Sequence, residues 1–203
     1  RGHREVGPAL AAVPAKPCLR RRNAVSFCCV AAAWLLLDAA TKLWAEGHAR
    51  GELLAPGIPG VLDLRLVHNT GGAWGVLGDM TAVLGVVSLA VCALIVAYLF
   101  WLAPDTPTLG AVGLALVFAG GVGNAIDRFA RGYVVDLIEP TFIDFPVFNV
   151  ADIGVTCGLA LFAAALGVAA WRSRRAAAEG EAGTGPAGSS APGGPGLRGR
   201  DAR

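Results

Sequence analysis

Four long runs of apolar residues dominate the pattern of hydrophobic and polar positions along this chain. They cover residues 24–45, 81–103, 108–126 and 150–171. Each run holds roughly 19 to 23 residues, and a helix that rises about 1.5 Å per residue crosses a hydrocarbon core of about 30 Å over that length. The pattern therefore predicts an all-α integral membrane protein with four transmembrane helices.

Between the first two runs the pattern changes to alternation. Residues 61–67, Val-Leu-Asp-Leu-Arg-Leu-Val, alternate apolar and polar side chains as a half-buried strand does. A Gly-Ile-Pro-Gly turn sequence precedes them, and a Gly-rich stretch follows at residues 68–75. This predicts a small extracytoplasmic β element over about residues 52–76, which lies against the membrane surface with Trp74 as an interfacial anchor.

Composition supports the membrane assignment. The chain has 203 residues, of which 55% are hydrophobic and only 16% are charged, and its mean hydropathy is positive. That excess of apolar residues excludes a soluble domain of this size. Residues 1–23 and 172–203 lack the excess and are rich in Pro, Gly, Ala, Ser and basic residues. We therefore expect disordered tails on both sides of a membrane domain at residues 24–171.

Basic residues flank the apolar runs unevenly. Arginines 20–22 stand just before the first run, and Arg172, Arg174 and Arg175 follow the fourth, whereas residues 46–80 hold two Arg against four acids. Because basic residues concentrate in cytoplasmic segments, both termini are predicted to be cytoplasmic. No aromatic residues interleave with these arginines, so we expect no nucleic-acid partner. The five cysteines show no ligand spacing, so we expect neither disulfides nor a metal site.

Polar residues of the runs converge on one membrane face in this orientation. The first and third runs cross outward, and the fourth begins on the outer side. The polar residues at these ends are Asp38, Lys42, Asn124, Asp127, Arg128, Asn149 and Asp152. Asp136 lies in the loop between the third and fourth runs. Unpaired charge in a bilayer is costly, so this concentration of acids requires a structural or a chemical reason.

Pairing is a structural reason for two of the acids. Asp38 and Lys42 are four residues apart on one helix face and can neutralise one another. Asp127 stands beside Arg128, which suits a structural pair better than a catalytic role. Pairing alone would therefore explain these four residues without any chemistry.

Asn149 followed by Asp152 is typical of a helix N-cap with an acid in the first turn, whatever the function. Asp136 is harder to explain, because an acid inside the apolar sequence Val-Val-Asp-Leu-Ile is either solvated at a strand edge or held for chemistry. The other acids of the connecting segments are interpreted as solvated loop charges: Asp63, Asp79, Glu139 and Asp144. The histidines suggest no Ser or Cys triad, which leaves acid chemistry as the leading hypothesis.

Asp136 and Asp152 together would suit an aspartic peptidase. Two neighbouring carboxyl groups cannot both ionise cheaply, so one of them keeps a proton. The ionised group can then activate a water while its protonated neighbour polarises a carbonyl. The sequence leaves open which of the two acids is the base.

Five motifs occur in order along about residues 31–171. They are Asp38-x-x-x-Lys42, Asn69-x-Gly71-x-Ala73-Trp74, Gly120-Gly-x-Gly-Asn124-x-x-Asp127-Arg128, Val134-Val-Asp136 and Phe148-Asn149-x-Ala151-Asp152. Together, on a frame of four spans, they resemble the bacterial lipoprotein signal peptidases, the signal peptidase II family. Two departures concern loop geometry: Trp74 stands where Phe is commoner, and the loop between the two acids is short.

The resemblance implies an aspartyl endopeptidase that removes signal peptides from prolipoproteins by cleaving before a diacylglyceryl-modified Cys. It implies that Asp136 and Asp152 are catalytic. Residues implied to hold the site or bind substrate are Asp38, Lys42, Asn69, Gly71, Asn124, Asp127, Arg128 and Asn149. It further implies an extracytoplasmic β cradle, a site at the extracytoplasmic face of the bacterial cytoplasmic membrane, and sensitivity to the cyclic peptide globomycin. We expect membrane lipid as a further partner, no cofactor, and a monomer.

Two other classes stay open on the residues alone. A proton-coupled carrier would use the acids as a relay, although such carriers place ionisable groups near the midplane and in repeated halves, and this sequence shows no repeat. A non-catalytic membrane scaffold would use every acid for capping or pairing. Asn substitutions at Asp136 and Asp152 separate the classes, because a scaffold tolerates them and a peptidase does not.

Overall fold

The computed structural model describes residues 17–72, 78 and 80–183. Over these residues the chain forms α1 (Pro17–Ala45), β1 (Leu53–Ile58), β2 (Leu62–Asn69), α2 (Thr81–Ala97), α3 (Thr108–Arg131), β3 (Val134–Pro140) and α4 (Val150–Gly183). A π-helical turn, Tyr98–Leu102, continues α2. The four helices of this described part, with α2 and its π turn taken together, are long and apolar enough to cross a membrane. The predicted membrane architecture with a small β element is therefore confirmed.

The first helix begins earlier than predicted. The sequence predicts a disordered tail up to residue 23, but α1 starts at Pro17. The buried side chain of Asn23 explains the extension: Nδ2 donates to the Thr106 carbonyl at 2.8 Å, and Oδ1 accepts from the Thr108 hydroxyl at 3.1 Å. Arg22 adds a hydrogen bond from Nη2 to the Thr108 hydroxyl oxygen at 2.7 Å. These contacts tie the start of α1 to the connection between α2 and α3.

The last helix continues beyond its predicted end at residue 171. α4 reaches Gly183 because the sequence after the apolar run is rich in Ala, Arg and Glu, which are good helix formers. From Val168 onward the chain forms a second compact unit. Within that unit Arg175 Nε donates to Glu179 Oε1 at 2.8 Å, one helical turn away. The predicted disorder is therefore wrong for this stretch.

Helix α3 packs closely against its neighbours in the first compact unit. A Cβ atom added to Gly113 of α3 would lie 2.6 Å from the carbonyl oxygen of Gly158 of α4, so the two backbones nearly touch. On another side, the ring of Phe27 from α1 lies 5.2 Å from the ring of Phe118 from α3. Close packing of small residues holds membrane helices together, because lipid surroundings give them no hydrophobic driving force.

Helix α3 also passes its predicted end at residue 126. It continues to Arg131 and ends at Gly132, whose φ of 80° lies in the left-handed region that favours glycine. The extra helical turn contains Asp127 and Arg128. Their helical placement decides which partners they can reach.

The strands form one antiparallel sheet in the order β1-β2-β3. Val67 of β2 pairs with Asp136 of β3, and Asn69 pairs with Val134. The prediction that Asp136 lies in a loop is therefore wrong. β3 forms because β2, which is distant in sequence, supplies the backbone hydrogen bonds that this apolar segment requires.

The two faces of the sheet have different neighbours. On one face Leu66 and Val135 pack with Ala45, the last residue of α1, in a small core. Successive strand residues point to opposite faces, so Asn69 and Asp136 belong to the other face. Both of them line cavities on that side.

Other predictions for the connecting segments need revision. Asp63 and Glu139, predicted as solvated loop charges, stand opposite each other in β2 and β3, and Glu139 Oε2 accepts from Arg65 Nε at 2.6 Å. Trp74 and Asp79 lie outside the described residues. The interfacial anchor at Trp74 therefore stays a prediction.

Candidate active site

Asp136 is 2% exposed and receives hydrogen bonds from two side-chain amides. Asn69 Nδ2 donates to its Oδ2 at 3.0 Å, and Asn149 Nδ2 donates to its Oδ1 at 2.7 Å. Burial, and after it the charge of Asp152, raises the pKa of Asp136 to about 7. The two amide bonds and the charge of Lys42 act in the opposite direction but are outweighed. Asp136 is therefore a carboxyl group that can hold a proton near neutral pH.

Asp152 stands in the first turn of α4 and forms a reciprocal cap with Asn149. The Asp152 backbone N–H donates to Asn149 Oδ1 at 3.0 Å, and the Asn149 backbone N–H donates to Asp152 Oδ2 at 3.2 Å. Asn124 Nδ2 donates to the other carboxyl oxygen at 2.8 Å. The predicted N-cap is therefore present, and the Asp152 carboxyl group lies at the positive end of the helix dipole. Asp152 is only half-buried.

Asn149 lies between the two acids and is fully buried. Its side-chain amide donates to Asp136 while its backbone amide donates to Asp152. The same Nδ2 atom is also 3.1 Å from Asn124 Oδ1 and 3.2 Å from the Val135 carbonyl. One residue thus links both carboxyl groups and fixes their relative position.

The ammonium group of Lys42 is buried behind the acids, and each of its three N–H donors has an acceptor. Nζ lies 2.8 Å from Asp38 Oδ2, 2.9 Å from Asp127 Oδ2 and 2.9 Å from Asn124 Oδ1. The predicted pairing of Asp38 with Lys42 is present. Because Lys42 holds the oxygen of the Asn124 amide, the nitrogen of that amide must face Asp152.

The two acids beside Lys42 also connect different helices. Asp38 Oδ1 of α1 accepts the backbone N–H of Ala151 in α4 at 2.8 Å. Asp127 accepts a hydrogen bond from Arg131. The predicted pairing of Asp127 with Arg128 is wrong, because adjacent helix residues point apart whereas a residue four positions on lies on the same face.

Arg128 faces the cavity beside the acids instead. Its Nη1 donates to the Asn124 carbonyl at 3.4 Å. Its Nε is buried and has no hydrogen-bond partner among the residues that the structure describes. Unpaired buried donors are rare in folded proteins, so this guanidinium can serve a ligand that presents an oxygen acceptor.

A cavity of about 480 Å³ opens beside both acids. Asn69, Asn124 and Arg128 supply its polar side. Its other wall comes from α4 and from the connection that precedes it: Phe145, Pro146, Val147, Phe148, Ile153, Val155, Thr156 and Cys157. This largely apolar wall next to a polar cluster suits a ligand with apolar chains and one polar group at the acids.

A second cavity, of about 320 Å³, meets the first at Asp136. It extends toward the connection after β2 and is lined there by Gly71 and Gly72. The backbone N–H of Gly71 donates to Asn69 Oδ1 at 2.9 Å, which turns the nitrogen of that amide toward Asp136. Asp136 therefore lies where two adjoining spaces meet.

The residues of the sequence-predicted site are all described, and hydrogen bonds, ion pairs or the cavity wall bring them together. The set comprises Asp38, Lys42, Asn69, Gly71, Asn124, Asp127, Arg128, Asp136, Asn149 and Asp152. The apolar wall at residues 145–148 was not predicted, although four consecutive residues of low polarity just before a span are a usable signal. Nor was a role for His68 predicted, because its partners Glu46 and Tyr133 are distant in sequence.

The chain matches the family model described as signal peptidase (SPase) II over residues 30–168. It is similar to the lipoprotein signal peptidase of Clostridium acetobutylicum, with 39% identity over 137 residues that cover 66% of this chain and 88% of the relative. It is also similar to that of Latilactobacillus sakei, with 37% identity over 125 residues that cover 62% and 82%. Among solved structures, it is similar to one described as a bacterial membrane enzyme determined by the in meso method at 2.3 Å resolution. That likeness has a TM-score of 0.63 and 30% identity and covers 69% of this chain and 86% of the other.

Proposed function

The chain belongs to the signal peptidase II family, which cleaves signal peptides from prolipoproteins, and we propose that it does so as an aspartic endopeptidase built on Asp136 and Asp152. The observation that carries the proposal is the position of Asn149, which bonds both carboxyl groups at the wall of one cavity. Two acids held this way can share one proton, as peptide hydrolysis by water requires.

Asp152 is the base in this mechanism, and Asp136 is the acid. Asp152 is half-buried and lines the larger cavity, so a water in that space can reach its carboxyl group. Asp136 is buried, and its raised pKa keeps it protonated near neutral pH. The more accessible acid is therefore suited to take a proton from water, and the buried acid is suited to supply one.

Cleavage then proceeds by proton exchange at these two carboxyl groups. A water gives a proton to Asp152 as its oxygen attacks the scissile carbonyl carbon, and Asp136 gives its proton to the carbonyl oxygen. The gem-diol that results collapses with breakage of the C–N bond. The leaving amine takes the proton from Asp152, and Asp136 regains a proton from the diol, which restores the starting state.

The apolar wall of the larger cavity supports a lipidated membrane substrate. Phe145, Phe148, Ile153 and Val155 offer surface to a signal-peptide helix or to acyl chains, while the acids stand at the polar end of the same space. Cleavage before a diacylglyceryl-modified Cys would place the lipid beside this wall. The guanidinium of Arg128, which lines this cavity, would then donate to a backbone carbonyl of the substrate.

The remaining polar residues hold the acids in place. Lys42 bonds Asn124, which in turn donates to Asp152, so the ammonium acts on the base through an amide. Asp38 and Asp127 neutralise Lys42, which would otherwise be a buried unpaired charge. The roles proposed for these residues are therefore positional and electrostatic, without direct contact with the reacting atoms.

The site belongs at the extracytoplasmic face of a bacterial cytoplasmic membrane in this proposal. Arg20 and Arg21 stand near the start of α1, and Arg172 and Arg174 lie toward the far end of α4, which favours cytoplasmic placement for both. The sheet and the acids lie beside Ala45, the last residue of α1, and beside the start of α4. Substrate would reach the site within the outer leaflet.

The experiment that tests the proposal is cleavage of a purified prolipoprotein in detergent micelles, with and without its diacylglyceryl group. We expect the lipidated substrate to be cut once, and mass spectrometry of the product to place the lipidated Cys at the new N-terminus. A matched substrate with Ser in place of that Cys controls for lipid recognition and should stay intact. Equal cleavage of both substrates, or cleavage at another bond, would contradict the proposal.

A further inference from the structure

Three polar side chains meet at the end of α1, and one of them, His68, also lines the smaller cavity. Glu46 Oε1 lies 2.8 Å from His68 Nε2, and Glu46 Oε2 accepts from the Tyr133 hydroxyl at 3.2 Å. The rings of His68 and Tyr133 stack with centroids 4.0 Å apart and planes 19° from parallel. The mechanism above uses none of these residues. We refer to Glu46, His68 and Tyr133 as the rear clasp.

One member of the rear clasp, His68, is adjacent in sequence to a residue that bonds Asp136. His68 precedes Asn69, whose amide donates to Asp136. In the sheet, His68 pairs with Val135 and Asn69 pairs with Val134. Since neighbouring strand residues point to opposite faces, a contact that fixes His68 also fixes where Asn69 points.

Glu46 anchors the rear clasp to the end of α1. Its backbone N–H donates to the Lys42 carbonyl at 2.9 Å, which continues the helical pattern of α1 by one residue. Ala45, just before it, is fully buried against the sheet. The carboxylate therefore projects from a rigid helix end that also holds the buried Lys42 ammonium.

Partial burial makes these contacts more effective than ordinary surface pairs. The side chains of His68 and Glu46 are 19% and 24% exposed, whereas those of Arg65 and Glu139, which link β2 to β3, are 39% and 30% exposed. Reduced solvent screening strengthens a pair, and the stacked Tyr133 ring restricts the motion of the imidazole. Arg65 bonds Glu139 and the Gly51 carbonyl, so this pair links β2 to β3 without Glu46 and provides a natural control.

We propose that the rear clasp positions Asn69 and Asp136 for peptide-bond cleavage by fixing strands β2 and β3 to the end of α1. This inference rests on the proposed function and deepens it. Glu46, His68 and Tyr133 are positioning residues in this account, because they act through Asn69 and do not touch the reacting atoms. Loss of the clasp should loosen the hydrogen bond from Asn69 to Asp136.

The first readout is the ionisation of Asp136, which does not depend on catalysis. Its side-chain carboxyl ¹³C resonance can be identified as the one that Asp136→Asn removes, and then titrated in Tyr133→Phe and Glu46→Ala. Since the Asn69 bond lowers the pKa of Asp136, loosening it should raise that pKa in both variants. If Glu46 acted on Asp136 only through its charge, the two variants would behave differently. Glu46→Ala would lower the pKa of Asp136, and Tyr133→Phe, which changes no charge, would leave that pKa unchanged.

The second readout is turnover of the lipidated substrate per folded molecule. We expect Tyr133→Phe and Glu46→Ala to lower kcat about tenfold with little change in KM, because small misplacements of reacting groups are costly. Glu46→Gln keeps hydrogen-bonding capacity and should recover part of the loss. The matched control Glu139→Ala removes the carboxylate that pairs with Arg65 and should change neither readout.

The outcomes separate the inference from the function on which it rests. An unchanged or lowered pKa of Asp136 in Tyr133→Phe and Glu46→Ala, with kcat equal to that of Glu139→Ala, would overturn the positioning role. If wild-type protein cleaves no lipidated substrate, the proposed function fails, and the titration alone decides whether the clasp positions Asp136. Thermal unfolding of each variant shows whether a lost activity reflects a lost fold.

Discussion

Asn149 donates its side-chain amide to Asp136 over 2.7 Å while its backbone amide donates to Asp152 over 3.2 Å. The residue also caps α4, because its Oδ1 accepts the Asp152 backbone N–H. A structural task and a chemical task are therefore combined in one side chain. The two can be separated by substitution.

Replacing Asn149 by Ser should keep the cap and lose the chemistry. A Ser hydroxyl still accepts the Asp152 N–H but cannot reach Asp136 with an amide. Both variants lose the buried amide bonds, so we expect Asn149→Ala to be about 1 kcal/mol less stable than Asn149→Ser, the usual cost of an N-cap. Both should lower kcat at least about tenfold. Wild-type turnover in Asn149→Ser would show that the amide bond to Asp136 is dispensable.

Activity should fall as the pH rises through about 7, because the mechanism needs a proton on Asp136 and burial raises its pKa to about 7. The folded protein also holds that proton more tightly than the unfolded chain. Stability from this group is therefore present at low pH and is lost between the ordinary Asp pKa and about 7. Unfolding of wild type and Asp136→Asn at about pH 5 and about pH 8 checks this, and the pH dependence should be smaller in the variant. Equal pH dependence would contradict it.

Among the charged groups of the buried network, Lys42 is the one whose removal should lower the free energy of unfolding most. Lys42→Met leaves Asp38 without a counter-ion in a buried site, whereas Asp127 keeps Arg131. We expect a loss of about 3 to 5 kcal/mol in the free energy of unfolding, the usual cost of breaking a buried pair. Adding Asp38→Asn should recover part of it.

A matched control for Lys42 exists in the same chain. Arg175 and Glu179 form another pair four residues apart, but their side chains are 64% and 66% exposed. Glu179→Gln should change stability by less than about 0.5 kcal/mol. A similar small effect for Lys42→Met would mean that the ammonium is not the charge centre of the network.

The close contact between α3 and α4 predicts that a side chain larger than that of Gly113 destabilises the fold. A Cβ there would lie 2.6 Å from the Gly158 carbonyl oxygen and 2.8 Å from the Phe162 backbone nitrogen, and neither group can move aside easily. Gly113→Ala should therefore cost about 1 to 3 kcal/mol in a denaturation titration. Gly167→Ala, where a Cβ meets nothing within 4 Å, should stabilise the helix slightly. Equal stability of Gly113→Ala and Gly167→Ala would contradict the close packing of α3 against α4.

Much of the fold and site could be predicted because a bilayer restricts what a sequence can mean. Apolar runs of spanning length have few alternatives to helices, and acids at their ends stand out against that background. Asp38 with Lys42 and Asn149 with Asp152 were readable for a simpler reason, since each contact lies within about one helical turn.

Contacts between distant segments were not readable from the sequence. Asp127 is next to Arg128 in sequence but bonds Lys42 and Arg131, because helix geometry separates neighbours. The strand around Asp136 depends on pairing with β2. The extended start of α1 depends on Asn23, whose partner Thr106 is far along the chain. Such contacts require the folded arrangement to be known.

The most direct test of the two-acid mechanism is turnover of lipidated prolipoprotein by Asp136→Asn and Asp152→Asn, each shown to be folded by its thermal transition. Asp144→Asn serves as the control, because this acid lies between the two in sequence but is exposed. We expect no detectable cleavage by Asp136→Asn or Asp152→Asn and cleavage at the wild-type rate by Asp144→Asn. Substantial cleavage by either Asp136→Asn or Asp152→Asn would contradict the two-acid mechanism.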